Sequence, residues 1–192
     1  MIKVKPTHKQ HWTKVCATTI LSSLLCVVCT TELTAAGKKK SNGAVRYEGE
    51  DAVIVNSTHK KSDAPLGCER QSFFSKQLAV GGINSETELQ DISDDWSNIA
   101  YVTFTVDAPT EGKYNVVLGY NGDDDKTILV RVNDEKFKTV SVPRVGGGAW
   151  DRMHKITIPV TFKSGENKLK ISGTIGNKGW LNIDYIDVSP AK

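Results

Sequence analysis

Cysteine is scarce where it would matter most. The chain of 192 residues has four cysteines, and Cys16, Cys26 and Cys29 all lie within the first 36 positions. Beyond them only Cys68 remains, so no internal disulfide can staple that part of the chain. A fold there must rest on its core, with or without a metal. Histidine is equally thin: past residue 36 there are only His59 and His154, and neither sits in an HExxH spacing. No GxSxG elbow is present either, which leaves out the commoner zinc-hydrolase and serine-hydrolase motifs. "GGGAW", Gly146 to Trp150, is rich in glycine but is not followed by Lys-Ser/Thr, so it reads as a flexible turn and not a phosphate loop.

An excess of one charge is also missing. The formal net charge is +3, but Lys3, Lys5, Lys9, Lys14 and the single acid Glu32 account for all of it. Residues 37–192 carry basic and acidic side chains in equal number, which argues against nucleic acid or an anionic membrane as the main partner. A long apolar run is absent as well. The one apolar core, "VCATTILSSLLCVVC" from Val15 to Cys29, falls short of the roughly 20 residues that span a bilayer.

That core follows a basic start, Met1 to Lys14, and precedes "TTELTAA" with small residues at Thr34 and Ala36. The pattern predicts a secretory signal over 1–36, cleaved before Gly37, and hence no membrane span in the mature form and an extracellular location. An uncleaved anchor is the alternative. Cys26 and Cys29 raise a bacterial lipid anchor, although "VVC" lacks the small residue expected before a lipidated cysteine. Residues 37–44 read as a polar linker, and 45–192 as one domain long enough for a real core. "NST", Asn56 to Thr58, is a glycosylation acceptor in a source that makes such glycans.

What the domain does have is a period of two. Val102, Phe104 and Val106 alternate with polar residues, as do Tyr114, Val116, Leu118 and Tyr120. Ile128, Val130 and Val132 repeat the pattern, then Ile156, Ile158, Val160 and Phe162, then Leu169 and Ile171. These are half-buried strands with one face inward. "VNDEKF" reads as a tight hairpin around Asn133 and Asp134, and "KSGENK" as another around Gly165. The spacing predicts an all-β fold of eight or nine strands, a two-sheet antiparallel β-sandwich of jelly-roll type.

Long irregular stretches, Ser57 to about Ser97, "NGDDDK", "PRVGGGAWDRMH" and "GTIGNKGW", hold Trp96, Trp150 and Trp180 in or beside them. A tryptophan in a loop suggests stacking on a ligand. Arg131 and the two histidines read as solvated bystanders. The strand tyrosines Tyr47, Tyr101, Tyr114 and Tyr120 read as core or sheet surface, and Phe73 and Phe74 either line a groove or anchor the long loop. Asp94, Asp95 and Asp123 to Asp125 could supply the facing pair that a glycosidase needs, but acidic runs in loops are more often solvated.

"YEGEDA", Tyr47 to Ala52, gathers Glu48, Glu50 and Asp51. In an extended chain Glu48 and Glu50 point to one side and repel each other unless a cation lies between them. Calcium, which takes six to eight oxygen ligands, suits them. An exposed acidic edge that blunts aggregation accounts for them equally well.

Taken in order, "YEGEDA", "VGGI" (Val80 to Ile83), "GKYNVVLGYN", "GGGAWDRMHKITIPVTFKSGENKLKI" and "GWLNIDYIDV" resemble the carbohydrate-binding modules of families 6 and 35. The resemblance covers about Val45 to Val188. It implies a galactose-binding-domain-like sandwich with a structural calcium, held by Glu48 and Glu50 with a C-terminal acid. If the first and last strands pair, Asp187 is favoured for that acid over Asp184. Ile183, Tyr185 and Ile186 cannot all face inward without a bulge. The resemblance also implies a sugar site at one loop end, with Trp150 stacking on a ring and Asn182 bonding to hydroxyls. Family 6 modules often place an aromatic in the "VGxI" element, where this chain has Gly82. That points towards family 35, with Trp180 as substitute platform or as packing. The Asp123 to Asp125 loop could take a second ion, but reads more simply as a solvated turn. The resulting expectation is a secreted, non-catalytic, lectin-like protein that binds polysaccharide or oligosaccharide, alongside a separate glycoside hydrolase or lyase. The alternatives are an adhesion sandwich that binds a protein, and a small polysaccharide-degrading enzyme.

Overall fold

Alternation along the chain becomes alternation across two sheets. The computed structural model describes residues 39–41, 43–58, 64–122, 125–143, 149–173, 175–176 and 180–192. The strands are β1 (Lys39–Ser41), β2 (Ala44–Glu48), β3 (Val53–Val55), β4 (Cys68–Arg70), β5 (Leu78–Val80) and β6 (Tyr101–Ala108). They continue with β7 (Gly112–Asn121), β8 (Lys126–Val132), β9 (Lys138–Val142), β10 (His154–Phe162), β11 (Gly165–Ser172) and β12 (Asn182–Pro190). Residues 35–192 form one compact unit. The expected signal segment lies outside the described residues. Part of the segment read as a linker forms β1, which pairs with β2.

All pairings are antiparallel, and the fold is a two-sheet β-sandwich. One sheet runs β3-β6-β11-β8-β9. The other is built around the last strand. On one side β12 pairs with β7, which pairs with β10. On its other side β12 pairs with β2 over Tyr185–Val188 and with β5 at Ile183, and β4 lies beyond β5. The apolar faces expected from the sequence meet between the sheets. Phe104, Leu118, Tyr120, Ile128, Ile158, Phe162, Leu169 and Ile171 are all buried there.

Two expectations about loops need correcting. "KSGENK" is not a hairpin, because β10 and β11 belong to different sheets. The turn carries the chain from one sheet to the other. The buried amide of Asn167 closes it, accepting from Lys163 N–H and donating to the carbonyls of Lys163 and Gly165. The turn after Val132 is a true hairpin, since β8 pairs with β9.

Trp96 is no ligand platform. It is fully buried in a second apolar cluster with Ile99, Leu129 and Ile175, and Tyr101 and Phe137 pack around it. Leu129 points away from the main core, so the long loop folds over that sheet's outer face to cover it. Arg131 is not a solvated strand residue either: its guanidinium donates to the carbonyls of Asp94 and Asp134 and ties the loop to the sheet. Phe74 is buried and anchors its loop.

Candidate functional site

The acids of "YEGEDA" stand where β12 changes partner. Strand β2 ends at Glu48, opposite Tyr185, and β5 takes over beside Ile183. Between them the register of β12 against β7 shifts across Asp184. This bulge lets Ile183 and Ile186 both turn inward while Tyr185 turns outward, as the awkward spacing of that segment demanded. A short 3-10 turn, Gly49–Asp51, fills the gap. Only glycine fits its first position, because a Cβ on Gly49 would stand 2.7 Å from the carbonyl oxygen of Ile183 and 2.8 Å from that of Asp184. Glu48, Glu50 and Asp184 therefore gather at one seam.

Their carboxylates are poorly satisfied. Glu48 is 7% exposed and Asp184 1%. Glu48 Oε2, both carboxylate oxygens of Glu50 and Asp184 Oδ1 are buried without a hydrogen-bond partner. Asp184 Oδ2 accepts one bond, 2.9 Å from the Ser75 N–H. Burial pushes the Asp184 carboxyl up to about 7, with the charges of Glu48 and Glu50 adding to the effect and the Ser75 bond opposing it. Burial also raises Glu50. Such groups call for a cation or a proton. Two positive groups bear on them: Arg46 acts on Asp184 and Glu48 through its charge, and Lys76 Nζ lies 2.7 Å from Asp51 and 3.7 Å from Glu50. Burial works against its charge, but the hydrogen bond and charge of Asp51, with Glu50 and Glu48, raise it above the ordinary lysine range. Among the described residues no three acidic, histidine or cysteine side chains already close around a single point.

Asp187, the acid favoured from sequence, does not join this group. It pairs in register with Arg46 and accepts two bonds from that guanidinium, each 2.7 Å. Arg46 also stacks 3.6 Å above the Tyr185 ring. Counting along a straight strand would bring Asp187 near the start of β2, but Glu48 is at the end of β2, and the bulge turns Asp184 towards it. Asp184 is the C-terminal acid whose place fits Glu48 and Glu50.

The second candidate place is where β7 ends and β12 begins. Asn182 pairs with Asn121 in register. Asn121 is buried and donates its amide N–H to the Arg152 carbonyl, 2.9 Å away, two residues beyond Trp150. The Trp180 carbonyl lies 2.8 Å from where a Cβ on Gly122 would stand. The chain thus brings Trp150 and Trp180 to the end of the sheet where Asn121 and Asn182 pair, and they are 39% and 53% exposed. Asn182 is buried and donates to Glu69 Oε2, 3.2 Å away. Exposed indoles and amide and carboxylate groups at one end of a sheet are the kinds of group that suit a ligand with apolar faces and hydroxyl edges. His154 is half-buried, its ring 5.7 Å from that of Tyr120, and is not an exposed bystander.

Glu69 and Asn121 escaped the sequence reading. Glu69 lies in a three-residue strand inside a long irregular stretch, with no periodicity to place it. Asn121 is the last residue of β7, on the face opposite Tyr114, Val116, Leu118 and Tyr120, and only its pairing with β12 gives it meaning. His59, Asp123, Asp124 and the glycines 146–148 lie outside the described residues.

No family model matches the sequence, and a search of curated proteins finds no match either. Solved structures do match. A family 35 carbohydrate-binding module from Clostridium thermocellum aligns with a TM-score of 0.57 at 22% identity, covering 75% of this chain and 97% of that one. The fold is that of a family 35 carbohydrate-binding module. A Podospora anserina GH26-CBM35 β-(1,4)-mannanase gives 0.56 at 22% identity, covering 79% of this chain. An exo-β-1,3-galactanase from Phanerochaete chrysosporium gives 0.57 at 24%, covering 78%. The chain spans 28% of the mannanase and 30% of the galactanase, against nearly the whole of the module.

Proposed function

We propose that this protein is a secreted, non-catalytic carbohydrate-binding module that takes a polysaccharide or oligosaccharide at the loop end of its sandwich. One observation carries the reading: the chain brings two exposed tryptophans, Trp150 and Trp180, to the end of the sheet where the buried Asn121 and Asn182 pair. In this role Trp150 and Trp180 stack on sugar rings, while Asn182 and Glu69 hydrogen-bond to hydroxyls. Water is displaced from apolar faces at the centre, and polar edges fix orientation. The match over nearly the full length of a family 35 module supports a binding role over a catalytic one.

Calcium belongs to the same proposal. Glu48, Glu50 and Asp184 would hold it, with their side chains drawn in around the ion. Hard carboxylate oxygens are its preferred donors, and the unsatisfied buried atoms at the seam fit a cation. Bound there, the ion would neutralise buried charge and join β2, the Gly49–Asp51 turn and β12. A separate glycoside hydrolase or lyase is the expected functional companion.

Native affinity electrophoresis tests the reading. The gels would carry mannans, galactans, xylans, pectins and β-glucans, each with calcium and with chelator. Mannan and β-1,3-galactan come first, because part of each enzyme named for them shares the fold. Retardation on one class, lost in Trp150→Ala, supports the proposal. A folded protein retarded on none of them overturns it and turns the search to a protein partner.

A further inference from the structure

Lys76 is placed with unusual care for a side chain 47% exposed. It sits in the turn Ser75–Gln77 with φ 48°, and Gln77 follows with φ 62°. Two successive non-glycine residues in the left-handed region are strained, and persist only where other contacts hold them. Backbone bonds from Gln77 N–H to the Phe74 carbonyl and from Gln71 N–H to the Gln77 carbonyl are among them, and two more contacts reach the acidic seam. The Ser75 N–H donates to Asp184, and Lys76 Nζ donates to Asp51, 2.7 Å away. The same ammonium is 3.7 Å from Glu50 Oε1. The strained turn therefore delivers a fixed positive charge to the seam where Glu48, Glu50 and Asp184 gather. It also occupies Asp51, the fourth acid within reach.

We infer that Lys76 is a built-in counter-ion that weakens the hold of the Glu48, Glu50 and Asp184 cluster on a divalent cation. This rests on the calcium reading of that cluster. An ion held by Glu50 would lie a few ångströms from the Lys76 ammonium, and like charges at that separation repel even near a protein surface. Solvent and salt reduce the effect for a half-exposed lysine, leaving about a three- to tenfold difference in affinity. With Asp51 neutralised by Lys76, three carboxylates remain to face the ion.

The test is calorimetric titration of calcium chloride into chelator-treated protein, for the wild type and for Lys76→Met, Lys76→Gln and Lys76→Arg. The Met and Gln variants should bind calcium about three to ten times more tightly, and the Arg variant, which keeps the charge, should bind as the wild type does. Thermal melts supply a second readout. Removing the ammonium should lower the midpoint in chelator, where the acids lose their partner, but not the midpoint in saturating calcium. Equal or weaker binding by the Met and Gln variants overturns the inference, as does an equal fall of both midpoints, which would make Lys76 only an anchor for its turn. A wild-type protein that binds no calcium removes the calcium reading itself, a result distinct from either.

Discussion

Asp187 accepts both of its hydrogen bonds from Arg46, directly across the ladder between β12 and β2, while Asp184, three residues earlier, turns into the seam beside Glu48. Two acids of one strand thus have separate duties. Asp184→Asn should abolish the rise in thermal midpoint on adding calcium. Asp187→Asn should leave that rise intact and lower the midpoint with and without calcium alike, by an amount equivalent to about 1–3 kcal/mol for a partly buried charge-assisted pair. Melts of both variants with calcium and with chelator check this.

The raised carboxyl of Asp184 gives stability a pH dependence. Its folded pKa is about 7, above the ordinary aspartate value of 3.8. Between those values the folded protein holds a proton that the unfolded chain has released. The stabilisation is therefore complete below about pH 4 and is lost as pH rises through 7. In chelator, the Asp184 contribution to denaturant midpoints should fall from pH 4 to 7.5, and Asp184→Asn should flatten that slope. If calcium occupies the seam as proposed it should reverse the trend, since a cation would bind the carboxylate form.

The three tryptophans beyond the first 36 residues should separate cleanly. Trp96→Ala should cost about 3–5 kcal/mol, the usual cost of emptying a buried aromatic site. Trp150→Ala and Trp180→Ala should leave the denaturation midpoint nearly unchanged and weaken saccharide retardation. Paired melts and affinity gels of all three measure this.

Gly119 lies against the face of Tyr185. A Cβ there would stand 2.6 to 2.9 Å from three atoms of the ring. Gly119→Ala must push the ring from beneath Arg46, and should destabilise by about 1–3 kcal/mol. Gly119→Ala combined with Tyr185→Ala should recover part of that loss, which urea denaturation would show.

Asn56 is engaged in the fold. It adopts φ 56° and donates its amide to the carbonyls of Ser97 and Ile99, 3.3 and 3.0 Å away. Asn56→Ala should cost about 1–2 kcal/mol through these carbonyls and the left-handed backbone. Hydrogen exchange should quicken in residues 97–100.

The strands of the core were legible because period two survives burial on one face. Tyr114, Val116, Leu118 and Tyr120 read as one face and pack as one. The sheet crossing at Gly165 was not legible, since a tight glycine turn looks the same whether it joins partners or changes sheets. Spacing left Glu48 and Glu50 divided between a cation site and an acidic edge, and its extended chain gives way to a 3-10 turn at Gly49–Asp51, while Asp184 depends on a bulge that shifts the count by one residue. Trp96 and Trp180 both lie in polar loops. One is covered by Leu129 and Ile175, distant in sequence, and no local signal distinguishes it from the other.

The last strand occupies the middle of its sheet, with β2 and β5 on one side and β7 on the other. During synthesis that place stays open until residues 182–190 have emerged. Until then β2, β5 and β7 have no common partner, and their unmet edges are open to pairing with other chains. Closure of this sheet must therefore wait for residues 182–190 and proceed through distant contacts, on the millisecond-to-second scale of β-sandwiches. A chain cut before Asn182 would hold every other strand of that sheet and still lack the one that joins β2 and β5 to β7.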